Sequence, residues 1–236
     1  MDLTMGGPLI SPHFRAQSST ANDTRGGILI RSLRRIVDSK AISGPSLVVD
    51  EMFRVCGVHS VAELVGEKMQ IESAFSLTTP VNPGKFAFNV KLREDAHRKL
   101  KKPIVYNSPR IGLDLSHKST TTLPTDPRIV FVQKPYRFFT NPNLLTANGR
   151  VQTFIGLFRF LSDSGDRPYK VNSNAFHEEL CRVSGLKRNV VDKYVTELNW
   201  GQKHGKITSF IGPAGKGTSS SPATYLRMMG TLWRDT

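Results

Sequence analysis

The stretch SNAFHEELCRVSGLKRNVVDKYVTELNW, residues 173–200, constrains this chain more than any other. Phe176, Leu180 and Val183 recur at helical spacing behind Ser173 or Asn174, either of which can cap a helix start. Glu178 and Glu179 fall in the first turns, where the helix dipole favours negative charge, and Gly185 is a stop signal. After a brief turn, Val190, Val191, Tyr194, Val195 and Leu198 build a second apolar stripe. Lys187, Arg188, Asn189, Lys193 and Thr196 lie elsewhere on that helix, on its surface. Two amphipathic helices joined by so short a turn pack against each other and leave a polar, basic face outward. Upstream, VQTFIGLFRFLSD predicts a further helix with Val151, Phe154, Ile155, Phe158 and Leu161 on one face. Gly165 and Pro168 punctuate its end, and PYKV reads as a short strand.

Three helices followed by GKITSFI, a glycine-rich loop and ATYLRMMGTLW resemble a winged helix-turn-helix in architecture. The loop, IGPAGKGTSSSP, superficially suggests a phosphate-cradling P-loop. That motif needs four residues between its first glycine and the Gly-Lys pair, enough backbone to wrap a phosphate. Here only Pro213 and Ala214 separate Gly212 from Gly215 and Lys216, so the ring of amides is too short. A hairpin between KITSFI and TYLRMM is the expectation instead, its flexible tip carrying Lys216 and several hydroxyls. The third helix would then be the reading element, with Lys187, Arg188 and Lys193 as contacts and Lys216 on the wing.

Charge points to the same kind of partner. Lys and Arg number 33 against 19 Asp and Glu, a formal charge of +14. Such an excess favours a polyanion, above all nucleic acid. It is spread over both halves of the chain, which suits a protein embedded in a large RNA assembly better than a regulator with concentrated groove contacts. Cys56 and Cys181 stand alone and the six histidines are scattered, so no metal site and no cofactor are expected. No apolar run has the length of a membrane span. The first 27 residues are rich in Gly, Ser, Thr and Pro, contain only Asp2 and Asp23 as acids, and read as a weak organelle-import signal.

Toward the N-terminus, GGILIRSLRRIV predicts a short buried strand through Ile28, Leu29, Ile30 and Leu33. SGPSLVVDEMFRVCGV predicts a helix opened by Ser43, Gly44 and Pro45 and closed by Gly57. SVAELVGEKMQIESAF reads as a second short helix running into a strand, and KFAFNVKLREDAHRKLKKP as a strand followed by a charged segment. The run from Lys85 to Arg110 has only Glu94 and Asp95 as acids, and Lys99, Lys101 and Lys102 within it are candidate phosphate contacts. SPRIGLD reads as another strand, and a Ser, Thr and Pro-rich insert at 116–127 separates it from PRIVFVQKPYRFFTNPNLLT.

The ILIRSL strand, the GPS-opened helix, SPRIGLD and YRFFTNPNLLT, in that order, resemble the later half of the alkyladenine (3-methyladenine) DNA glycosylase family over about residues 26–147. The resemblance implies an α+β fold, with a partial glycosylase-like mixed domain carrying a curved antiparallel sheet. Arg31 matches the arginine that follows the family's strand near its active site. In the family, the glutamate base and tyrosine wedge precede that strand; here the preceding residues contain neither Glu nor Tyr. A base-flipping glycosylase needs a carboxylate to activate water and a wedge to fill the duplex. Asp50, Glu51, Glu72 and Asp114 are the other carboxylates considered; Asp50 and Glu51 fall on an exposed helix face, and Asp114 falls where a strand meets a turn.

The expected organisation is an extension (1–25), a truncated methylpurine-DNA-glycosylase-like domain (26–147) and a C-terminal winged helix-turn-helix (148–236). The expected function is that of a non-catalytic RNA-binding structural protein of an organellar (mitochondrial) ribosome or similar ribonucleoprotein. Its partners would be rRNA and neighbouring proteins, and its location the mitochondrion, otherwise the nucleus or cytoplasm. The alternatives are a DNA glycosylase acting in base excision repair on alkylated purines, and a winged-helix DNA-binding regulator.

Overall fold

Helix ends in this chain are written into its caps. The computed structural model describes residues 2–5, 26–64, 103–145, 147–163 and 170–234. It divides into two units, Met1–Lys101 and Lys102–Thr236.

In the first unit β1 (Asp2–Met5) pairs antiparallel with β2 (Gly26–Leu29), and β3 (Ser32–Arg34) with β4 (Ala41–Ser43). The expected single strand is therefore two, broken at Ile30 and Arg31, and it is not buried: Ile28 is 53% exposed. A two-stranded ribbon has too little sheet to cover both of its faces. The N–H of Gly44 donates to the Arg31 carbonyl (2.8 Å), tying the start of α1 (Pro45–Cys56) back to the chain before the hairpin. Pro45 occupies the first turn and Gly57 the left-handed position after the last, as its sequence predicts. Asp50 is exposed, whereas Glu51 is drawn into ion pairs with Arg35 (3.4 Å) and Arg54 (2.6 Å). The short α2 (Val61–Glu63) is capped by Ser60, whose Oγ accepts from the Glu63 N–H, while the Glu63 carboxylate accepts from the His59 N–H. The elements expected from 65 to 102 lie outside the described residues.

In the second unit β5 (Tyr106–Ser108) pairs antiparallel with β6 (Arg137–Phe139). SPRIGLD thus contributes only Ser108 to a strand, and the chain turns immediately after. The β structure consists of separate two-stranded antiparallel ribbons among the described residues, and the mixture of helix and sheet is that of an α+β protein. α3 (Pro127–Gln133) starts at Asp126, whose carboxylate accepts from the Thr121 and Arg128 N–H groups and is held below the ordinary pKa by those two bonds. Four longer helices follow: α4 (Arg150–Ser162), α5 (Asn174–Ser184), α6 (Arg188–His204) and α7 (Pro222–Arg234). Of PYKV, only Lys170 and Val171 are described, and they lead into a turn.

α4 runs through the middle of the core. Phe154, Ile155 and Leu157 are fully buried, and Phe158 meets Phe176 of α5 edge-to-face, with ring centroids 5.1 Å apart. Phe154 does the same with Tyr194 of α6. Residues 103–145, grouped by their sequence with the N-terminal domain, bury Tyr106, Leu115, Ile129, Val132, Phe139 and Leu145 in this same core. The two units divide between Lys101 and Lys102 rather than near 147.

The expected wing is absent. TYLRMM lies within α7, and residues 207–220 form a series of short 3-10 turns with no hairpin. Helical spacing decides this: Tyr225, Leu226, Met228, Met229 and Leu232 all fall on the buried side of α7. Burying them against α6 removes far more apolar surface from water than an exposed hairpin would. The two helices run parallel, since Glu197 pairs with Arg227 and the Thr231 Oγ donates to the Gly201 carbonyl (3.2 Å). Gly201, Gly205 and Gly230 line their contact, and a Cβ on Gly201 or Gly230 would collide with backbone of the facing helix.

Candidate nucleic-acid interface

α5 and α6 follow one another closely, and their caps fix where each begins and ends. Ser173 caps α5 by accepting from the Phe176 N–H (3.2 Å). Gly185 ends α5 in the left-handed conformation (φ 70°), where a side chain would be strained, and its N–H reaches the Cys181 carbonyl (2.9 Å). Only Gly185, Leu186 and Lys187 separate the helices.

Lys187 sits at the cap position of α6, exposed and extended. Arg188 is exposed but committed: its Nε donates to Asp192 (2.7 Å), which is also 2.5 Å from His177 Nδ1. The hydrogen bond from His177, and then that from Arg188, hold the Asp192 carboxyl below its ordinary pKa. Lys193 is exposed, and among the described residues neither it nor Lys187 makes an ion pair.

The exposed side of α6 extends further than the basic residues alone predicted. Asn189, Lys193, Thr196, Trp200 and Lys203 recur at steps of four and three and are all exposed, so they form one stripe along the helix. Trp200 is 41% exposed, with the Arg227 guanidinium 4.5 Å from its ring centroid on one side and His204 beside it. Its place seven residues beyond Lys193 was the signal that could have found it. The face combines two ammonium groups that make no ion pair among the described residues, an amide, a hydroxyl and an indole. Those groups can contact phosphate oxygens and stack on a base.

The other expected contacts do not join this stripe. Arg31 is part-buried in the first unit. Lys99, Lys101 and Lys102 lie outside the described residues. Lys216 is exposed, but it follows a 3-10 turn rather than occupying a hairpin tip. That glycine-rich segment is tied down instead. The Gly212 N–H donates to the Leu115 carbonyl (2.9 Å), the Ser219 N–H to the Asp114 carboxylate (3.0 Å), and Thr218 is fully buried. Burial pushes the Asp114 pKa up, but the bonds from Ser116 and Ser219 together outweigh it and hold the carboxyl below its ordinary value. Asp114 is thereby a clamp on the loop.

Among the described residues no group of three or more His, Cys, Asp or Glu is placed to hold a metal ion, and no helix is long and apolar enough to cross a membrane. Compared with family models, with curated proteins and with solved structures, the chain finds no match in any of the three.

Proposed function

We propose that this chain is a non-catalytic nucleic-acid-binding protein that serves as an RNA-binding component of a ribonucleoprotein, an organellar ribosome being the assembly its spread of charge suits. The observation that carries this reading is the α6 stripe: Lys193, Trp200 and Lys203 exposed along one helix in a chain of formal charge +14. The phosphates supply most of the affinity through the lysines, and Trp200 offers a stacking surface indifferent to sequence. The resemblance of residues 26–147 to the alkyladenine DNA glycosylases is read as shared ancestry.

Equilibrium binding of the full chain to single-stranded RNA, structured RNA and duplex DNA, over a range of salt, tests it. RNA is expected to bind more tightly than duplex DNA, with affinity falling steeply as salt rises. Trp200→Ala is expected to cost about 1–3 kcal/mol on single strands, and Lys193→Glu with Lys203→Glu to flatten the salt slope. Unchanged RNA affinity in both variants would overturn the reading. Read as a helix-turn-helix, α5 and α6 favour a second reading, a regulator of duplex DNA; selective binding to one duplex that persists at high salt would establish it.

A further inference from the structure

A cleft of about 420 Å³ opens in the second unit between α3, the C-terminal part of α4, the 3-10 turn after α6 and the end of α7. Ile129, Ile207 and Leu232 form apolar wall, while Arg159, Lys134 and Gln133 bring polar groups to the same space. Arg159 is the unusual member. Its guanidinium lies 4.4 Å from the centroid of the Trp233 ring, part-buried, and among the described residues it makes no hydrogen bond or ion pair. Asp163, one turn on, acts on it only through its charge. Burial lowers the Arg159 pKa, yet an arginine keeps its proton in any protein environment. A part-buried cation with five donors and no acceptor is poised for an anion. Lys134, exposed at the same cleft, adds a second positive charge, and Gln133 adds a carboxamide whose NH2 reaches the Ile129 carbonyl (3.4 Å) and whose oxygen remains an acceptor.

The volume is that of a site for one small ligand. Its lining asks for an anionic group joined to a flat or compact apolar body that also carries hydrogen-bonding edges. A fatty acid matches the anion and not the amide; a nucleotide matches both. We infer that this cleft receives a single unstacked nucleotide of the bound RNA, its phosphate on Arg159 and Lys134 and its base against the Ile129, Ile207 and Leu232 wall. Capture of splayed-out bases is how single-stranded RNA is commonly held. This inference rests on the RNA reading above but uses a different set of residues from the α6 stripe.

Titration calorimetry of the full chain with AMP, UMP, adenosine, ribose 5-phosphate and octanoate tests it. AMP or UMP is expected to bind saturably and at least tenfold more tightly than adenosine, ribose 5-phosphate or octanoate. Arg159→Gln is expected to weaken that binding tenfold or more in a protein that melts as the parent does. If that variant does not fold, Lys134→Gln, at an exposed position, is expected to weaken it about threefold by loss of one partly screened charge. No binding of either nucleotide, equal binding of ribose 5-phosphate or octanoate, or unchanged affinity in the folded variant would overturn the inference. RNA binding through the α6 stripe with no nucleotide in the cleft would sink this inference and spare the proposed function. Nucleotide binding in a chain that does not bind RNA would sink the proposed function and the strand with it, leaving a free-mononucleotide site.

Discussion

The described residues of the two units are stabilised in different ways. In Lys102–Thr236 one apolar cluster runs from Tyr106 to Leu232, and helices α6 and α7 approach until backbone meets backbone. Among the described residues of Met1–Lys101 the buried apolar side chains are Val48, Cys56, Val58 and Leu64. There Ile36 and Val37 are 95% and 100% exposed, and Leu47, Val55 and Val61 are all more than half exposed. What orders those residues is local, chiefly the caps of α1 and α2, while the ion pairs around Glu51 add little. Burial grows with the number of surrounding layers, whereas a cap or an exposed ion pair contributes much the same anywhere. Burial therefore dominates in the second unit, and local contacts dominate among the described residues of the first.

Five substitutions would break or sharpen that contrast. The largest effect is expected from Phe176→Ala, which empties a fully buried site against Phe158 and should cost about 4 kcal/mol in urea denaturation. Val48→Ala in the first unit should cost about half as much, having less apolar surface to lose; equal losses would mean the two cores are alike. Next comes Gly201→Val, expected to cost about 3 kcal/mol, because the new side chain collides with the Arg227 backbone and the helices must part.

Asp114→Ala should cost about 2 kcal/mol at pH 7 by releasing the 217–221 loop from its clamp. The sign of its pH dependence follows from the lowered pKa. The contribution is fully present above the ordinary carboxylate value of 3.8 and is lost as pH falls through the lower folded value. The gap between parent and variant in a pH-resolved melt should therefore close only in strong acid; a gap that closes near neutrality would assign the stability to another group. The smallest effect belongs to Glu51→Gln, expected to leave the melting midpoint unchanged within error, since exposed pairs are screened by water and salt. A large drop would show that ion pairs, rather than burial, hold the first unit.

Helices α1, α4, α5 and α6 were legible because their information is local. Apolar side chains recur every three or four residues, Ser173 offers its hydroxyl to free N–H groups, and Gly57 and Gly185 take up the left-handed turn. The first two turns of the α6 site were legible for the same reason, and Trp200 could have been found by carrying its spacing one step further. Helix α7 was misread as half of a hairpin because the glycine-rich loop before it satisfies two descriptions equally well until α6 is there to pack against.

Periodicity and capping in the amino-acid order were thus enough to define most helices of the second unit and the basic character of the surface. The parallel seating of α7 on α6, the clamp from Asp114 to Ser219, and the gathering of Lys134, Arg159, Ile207 and Leu232 around one cleft came only with packing. Each depends on groups far apart in the chain, and their energies exist only after the cost of closing the intervening loops has been met.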